Sequence, residues 1–285
     1  MTLLVVDIGG SALKTAIWHD ASLVDKQTEP MVTRWELLEQ DLFEKWQRYR
    51  EKYDLKALHL SLPGVVNQET GYLEGASSLA FLHGVPIRER LVKLIGAPVK
   101  MENDANCAAL AECHQGAAKG KKNVVFVVVG TGIGGTIVID GKIRQGHHLY
   151  GGEFGMMLID GRREWAELGS AVHMARKVSI AKGLDMHALS GKEVFALAEQ
   201  GDNIAQESVE EWYHYLALGC YNLQYILDPE VILIGGGISQ KPDLIAHINR
   251  HLTKIMSYGQ RSPLTPNVQT CDFYNDANLI GLAYL

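Results

Sequence analysis

The chain has 285 residues, 47% of them apolar and 21% charged, with 27 Lys and Arg against 33 Asp and Glu. This mildly acidic balance disfavours non-specific binding to nucleic acid, which rests on cationic side chains, and no apolar stretch reaches the length of a membrane span. Cys107, Cys113, Cys220 and Cys271 form neither a disulfide framework nor a CxxC pair, so a reducing cytoplasm is expected, and the opening at Leu3-Leu-Val-Val6 shows no basic segment ahead of an apolar core, so no secretory signal is expected.

Residues 2–8, 13–18 and 22–28 predict three short strands, the last two joined by a turn at Asp20 and Ala21, and hence an antiparallel meander. Trp35, Leu38, Leu42 and Trp46 recur at helical spacing within 34–52, which predicts an amphipathic helix covering that sheet. A strand at 55–62 follows, then an irregular stretch, a helix at 87–95, a buried strand at 97–101 and a helix at 104–114. The basic segment Lys119-Gly-Lys-Lys-Asn123 marks a boundary, because 124–129, 136–139 and 142–144 then repeat the pattern of strand, glycine turn and strand. This reads as a duplication of topology without detectable duplication of sequence. Helical periodicity resumes over 165–181, 191–199 and 205–227, a strand at 231–234 runs into Gly235-Gly-Gly237, and helix returns after Pro242. A short amphipathic helix at 276–285 is expected to pack back on the first half. The organisation predicted is a smaller N-terminal α/β domain, 1–116 joined by 276–285, and a larger α/β domain, 117–275.

Two glycine-rich turns, Asp7-Ile-Gly-Gly-Ser11 and Gly130-Thr-Gly-Ile-Gly-Gly135, occupy corresponding places in the two halves. Glycine lets backbone N–H groups close on an anion, so the pair reads as a duplicated phosphate cradle for a nucleoside triphosphate, with Gly9, Gly10, Ser11, Gly130, Thr131, Gly132, Gly134 and Gly135 as binding residues. Asp7, at the end of an apolar strand, would repel phosphate unless a cation intervened; it is read as holding Mg²⁺ through water, and taken alone it is equally a hydrogen-bonded turn aspartate. Asn103 and Asp104 stand where a strand meets a helix. Either could cap the helix, but an aspartate there is kept ionised by the helix dipole and is suited to accept the proton of an attacking alcohol. Glu153, flanked by Gly152 and Gly155, is suited to accept hydrogen bonds from vicinal hydroxyls, and alone is equally a loop acid. Gly235, Gly236 and Gly237 would leave room for a flat adenine or ribose. His147 and His148 lack the spacing of a metal pair.

These motifs, with Leu62-Pro-Gly64, Glu102-Asn-Asp-Ala-Asn106, Gly152-Glu-Phe-Gly155, Ile234-Gly-Gly-Gly237 and Asn275-Asp-Ala-Asn-Leu-Ile-Gly281, resemble nearly end to end the ROK family of repressors, open reading frames and sugar kinases. The resemblance implies a two-domain actin-like ATPase (ribonuclease H-like) α/β fold, a duplicated βββαβαβα core around a cleft, with ATP on the larger domain. It implies a sugar held at the hinge by groups matching Gly64, Asn103, Asp104 and Glu153, with Asp104 as catalytic base, and it implies a homodimer.

Departures from the family pattern narrow the expectation. Met156 stands where a histidine is usual, and Ile159 to Ser170 contains no cysteine, so no structural zinc site is expected and packing around Trp165 and Leu168 replaces it. The glutamate usual before that serine has no clear counterpart, Glu164 and Glu167 both being out of step, and Ser78-Leu79 replaces an asparagine-leucine pair. The branch lacking the zinc motif resembles β-glucoside kinases, as does Ser11-Ala-Leu-Lys14. The reading is an ATP-dependent kinase acting on the C6 hydroxyl of a hexose or hexosyl glycoside. The alternatives are an amino-sugar kinase such as one for N-acetylmannosamine, a sugar-sensing regulator without catalysis, and an actin-like ATPase whose hydrolysis drives motion; no nucleic-acid or membrane partner is expected.

Overall fold

The run Leu3–Val6 becomes the centre of a sheet. In the computed structural model, which describes residues 1–75, 77, 79–258 and 264–285, these four side chains on β1 (Thr2–Ile8) are fully buried although they alternate between two faces. A strand buried on both sides needs cover on both sides. β1 pairs antiparallel with β2 (Ala12–His19), which pairs antiparallel with β3 (Ser22–Pro30); Asp20 and Ala21 between them take φ of 48° and 60°, the left-handed conformations that a tight hairpin demands. Helix α1 (Trp35–Arg50) turns Trp35, Leu38, Leu42, Trp46 and Tyr49 into the core, and β4 (Leu55–Leu62) returns parallel to β1. The stretch expected to be irregular contains a hairpin, β5 (Val65–Asn67) and β6 (Tyr72–Glu74), whose three-residue strands are too short to leave a period in the sequence. Helix α2 (Ile87–Ile95) ends at Gly96 with φ 69°, β7 (Val99–Asn103) adds to β4 in parallel, and α3 (Asp104–His114) follows at once. β7 thus starts and ends two residues later than the apolar run suggested, which sets Asn103 at the junction of strand and helix. The sheet order is β3-β2-β1-β4-β7.

A second unit repeats this plan. β8 (Val124–Val129), β9 (Ile133–Ile139) and β10 (Lys142–Ile143) form an antiparallel meander. Helices α4 (Trp165–Gly169), α5 (Ala171–Ala181), α6 (Gly191–Glu199) and α7 (Asn203–Leu227) precede β11 (Val231–Gly235), which pairs parallel with β8. Helix α8 (Leu244–Met256) leads to β12 (Val268–Thr270), parallel to β11, so the order is β10-β9-β8-β11-β12. Order and directions match the first sheet strand for strand, which is the duplication that the sequence shows only as a recurring pattern. The periodic stretch 165–181 is two helices: Ser170 interrupts it, its Oγ accepting the His173 amide at 3.2 Å to cap α5. β12 has three residues and no sequence signal.

The first unit comprises Met1–Gln115, Gly146–Tyr150 and Asn275–Leu285, the second Gly116–Gln145 and Gly151–Tyr274. The five residues 146–150 therefore belong with the N-terminal half, where Tyr150 lies over Gly75, so close that a Cβ at Gly75 would fall 2.6 Å from its hydroxyl. The closing helix is shorter than its amphipathic pattern, α9 (Ala277–Gly281) followed by a single tight turn, Leu282–Tyr284. It seats on α3 through Gly281, where a Cβ would come within 1.7 Å of the Cys107 carbonyl oxygen. Among the described residues no helix is long and apolar enough to cross a membrane.

Candidate active site

In the first unit the strand-to-helix junction gathers the polar groups. Asn103 is the cap of α3: its Oδ1 accepts the Asn106 amide at 3.1 Å, while its Nδ2 donates to the Gly64 carbonyl at 2.9 Å. Gly64, with φ 91°, lies between β4 and β5 in a conformation that an L side chain rarely adopts. Asp104 is then the first helical residue, half-buried, its Oδ1 accepting the Ala105 amide at 2.8 Å. Capping and chemistry are competing readings of both residues in the sequence; in the structure the side chain of Asn103 is the cap. Gly64 and Asn103 are thus hydrogen-bonded, and Asp104 is next in the chain. Glu102, Asp7 and Asp104 also surround the Cys107 thiol of α3, which burial and these carboxylates push well above its ordinary range.

Asp7 sits at the end of β1, 5% exposed. Its Oδ1 accepts Ser61 Oγ at 2.8 Å and Asn278 Nδ2 at 2.9 Å, and Lys14 Nζ lies 3.2 Å from Oδ2. Lys14 is Asp7's direct partner across the β1–β2 pair. Sequence reasoning missed Ser61 and Asn278, which come from β4 and α9; only the register of the sheet and the return of the chain terminus bring them here. The turn closes by the Gly9 amide donating to the Ala12 carbonyl at 3.0 Å. Donors aimed at an anion must therefore come from the exposed Gly10 and Ser11.

The second unit carries the other glycine turn. Here too the first glycine closes the loop, the Gly130 amide donating to the Gly132 carbonyl at 3.0 Å, which leaves Thr131 exposed at the tip. Gly134 and Gly135 are not in the turn but within β9. A Cβ at Gly135 would lie 2.4 Å from the Phe126 carbonyl and 2.4 Å from the Phe154 ring, so this glycine is required by packing. The same holds for Gly236, whose Cβ would meet the Val129 carbonyl at 2.1 Å, and Gly235 is the last residue of β11, close to Cys271 Sγ. Gly130 and Gly237 differ: nothing lies within 4 Å of a Cβ at either. Both face a pocket of about 730 Å³, whose walls include Gly191, Phe195, Ile238 and Lys241. The pocket opens beyond the C-terminal ends of the parallel strands β8 and β11, where α/β sheets bind ligands. Its volume lies in the range of small-molecule sites.

Glu153 belongs to the second unit, in the turn ahead of Phe154, and burial raises its carboxyl above the ordinary range. Met156 beside it is exposed. The segment that follows is held without thiolates: Asp160 accepts the Arg162 amide at 3.0 Å and the Arg163 amide at 2.8 Å and pairs with the Arg163 guanidinium, which lowers its carboxyl to about 2. Trp165 beyond it is fully buried against Gly219 of α7, where a Cβ would come within 2.0 Å of the ring, and Leu168 is buried too. Glu164 and Glu167 are exposed, Glu167 beside His173 at the edge of a separate pocket of about 440 Å³. The rings of His147 and His148 pack edge to face, and no group of three or more His, Cys, Asp or Glu side chains suited to a metal occurs among the described residues. Ser78 lies outside the described residues, and Leu79 is buried.

The chain is 31% identical over 295 residues to a β-glucoside kinase of Listeria innocua, covering 100% of this chain and 97% of that protein. It is 31% identical over 276 residues to a glucokinase of Halalkalibacterium halodurans, covering 86% of this chain and 83% of that one. Among solved structures, a ROK family protein from Streptococcus pneumoniae in complex with sucrose superposes with a TM-score of 0.89 at 34% identity, over 99% of this chain and 96% of that one. The family pattern itself extends over residues 3–285. With its duplicated strand order and its glycine turns, the chain belongs to the ROK family and has the actin-like ATPase fold.

Proposed function

We propose that this protein is an ATP-dependent sugar kinase that transfers the γ-phosphoryl group to the C6 hydroxyl of a hexose or hexosyl glycoside, a β-glucoside being the favoured acceptor. The observation that carries this reading is the Asn103-Asp104 pair fixed on the Gly64 carbonyl at the start of α3. Phosphoryl transfer asks little covalent chemistry of the protein; it asks for an oriented alcohol, a group to take its proton, and positive or hydrogen-bonding surroundings for the phosphates. Asp104 takes the proton. Asn103 and Gly64 orient the sugar, and Glu153 accepts hydroxyl hydrogen bonds. Kinship with β-glucoside kinases and with a glucokinase, each about as similar in sequence, supports a glucosyl acceptor.

The nucleoside belongs in the pocket walled by Gly130, Gly191 and Gly237, with phosphates reaching the amide after Gly130 and the Thr131 hydroxyl. The residues at Asp7 fit Mg²⁺, which needs one or two carboxylates and keeps most of its water: a single buried carboxylate already bonded to Ser61, Asn278 and Lys14 suits contact through water and not a closed protein cage. Bound there with the nucleotide, the ion would supply charge neutralisation for the leaving and transferring oxygens.

The test is to incubate the protein with ATP and glucose, cellobiose, other β-glucosides, N-acetylmannosamine or N-acetylglucosamine and to locate new phosphate by phosphorus NMR. Phosphorylation at C6, fastest on a β-glucoside, is expected. Faster reaction of N-acetylmannosamine would transfer the assignment to amino sugars. Binding of a sugar without product would mark a sensor, and full ATP hydrolysis without any sugar would mark a motor-type ATPase.

A further inference from the structure

Glu102 is a buried carboxylate to which the proposed reaction gives no task. It is the penultimate residue of β7 and 3% exposed. Its Oε1 accepts the Asn103 amide at 2.8 Å and Asn106 Nδ2 at 3.0 Å, and its Oε2 accepts Gln68 Nε2. These partners are not scattered. Asn103 is the cap of α3, Asn106 is the residue whose amide that cap holds, and Asp104 lies between them. Gln68 comes from the β5–β6 hairpin, and its backbone carbonyl is held in turn by Arg88 of α2. Burying a charge without such partners costs several kcal/mol, on the order estimated for an ion in a protein interior; with them, the carboxylate ties the hairpin, the strand end and the first turn of the helix to one point.

We infer that Glu102 is a positioning residue for phosphoryl transfer, holding the Asn103-Asp104 turn through Asn103 and Asn106 with Gln68 as its anchor. The inference rests on the kinase reading above. Glu102 acts through its neighbours and touches no reacting atom, so its loss should appear in turnover more than in nucleotide binding. Displacing a catalytic group by about 1 Å is enough to cost around a hundredfold in rate.

Two conservative variants separate position from charge. In Glu102→Gln the side chain keeps its reach: its oxygen still accepts from Asn103 and Asn106, and its NH₂ meets Gln68, whose exposed amide turns to offer oxygen. In Glu102→Asp the charge stays but the carboxylate is withdrawn by one methylene from all three donors. Steady-state kinetics on purified full-length protein, with ATP affinity by calorimetry, should show kcat a few-fold lower in Glu102→Gln and at least tenfold lower again in Glu102→Asp. The KM for ATP should stay within about twofold in both. Removing only the anchor, in Gln68→Ala, should lower kcat by a few-fold.

The opposite order, with Glu102→Asp close to wild type and Glu102→Gln much slower, would overturn the positioning role in favour of a charge effect. So would losses in kcat matched by equal losses in ATP affinity or in folded fraction. If wild type is active and Asp104→Asn is not, while both Glu102 variants match wild type, the inference falls and the kinase reading stands. A wild-type protein inactive on every sugar overturns that reading and this role with it.

Discussion

At the scale of single residues, the two proposed sugar-binding carboxylates sit in different surroundings, and the difference has a consequence for pH. Asp104 is the first residue of α3, whereas Glu153 is partly desolvated and its carboxyl lies above the ordinary range. A hydroxyl donates to the ionised oxygen, and a raised pKa means that this acceptor is lost at a higher pH than for an exposed glutamate as the solution is acidified. The KM for sugar should therefore rise as pH falls through the upper carboxylate range, with the KM for ATP unaffected. Glu153→Gln should raise the KM for sugar by about tenfold, the worth of one hydrogen bond to a charged group, and should flatten that acid limb. A limb unchanged in the variant would assign it to another group. Asp7, Asn103, Asp104 and Glu153 could all be named from the sequence because each stands beside glycines or at a strand end. Glu102 could not: its neighbours Asn103 and Asp104 draw the eye, and its hydrogen bond to Gln68 spans 34 positions.

At the scale of elements, glycine has two uses here that look alike in sequence. Gly135, Gly236 and Gly281 are places where another backbone occupies the site of a Cβ, while Gly237 faces open space beside the proposed nucleoside pocket. Substituting alanine tells them apart. Gly281→Ala forces α9 off α3 at the Cys107 carbonyl and should destabilise by about 3 kcal/mol, read as a lower denaturation midpoint. Gly237→Ala should leave that midpoint nearly unchanged and raise the KM for ATP by several-fold. The reverse pattern would mean that the pocket and the packing contact have been exchanged. This is also where the sequence was least informative: the motif at 130–135 reads as one phosphate turn, yet half of it is strand, because the identity of a glycine does not say whether a ligand or a carbonyl comes close. Long periodic elements such as α1 and α7 were legible from their apolar spacing, and three-residue strands such as β6 and β12 were not.

At the scale of the whole molecule, duplication explains why each unit holds a glycine turn after its first strand and why both turns close with the amide of their first glycine. The repeated plan was readable because β1 and β8 are both apolar runs followed by glycine, although the two halves share no obvious sequence. The segment 160–169 is held by the Asp160–Arg163 turn and by Trp165 against Gly219, so its packing follows from hydrogen bonds and van der Waals contact. In the proposed reaction one acid at the start of α3, Asp104, accepts the proton of a sugar alcohol during phosphoryl transfer. The most direct measurement is turnover of Asp104→Asn on the best sugar of the panel, alongside calorimetric binding of that sugar and of ATP. We predict kcat lower by about 10² to 10⁴, the range for loss of a general base, with both affinities within a few-fold of wild type; turnover within threefold of wild type would contradict it.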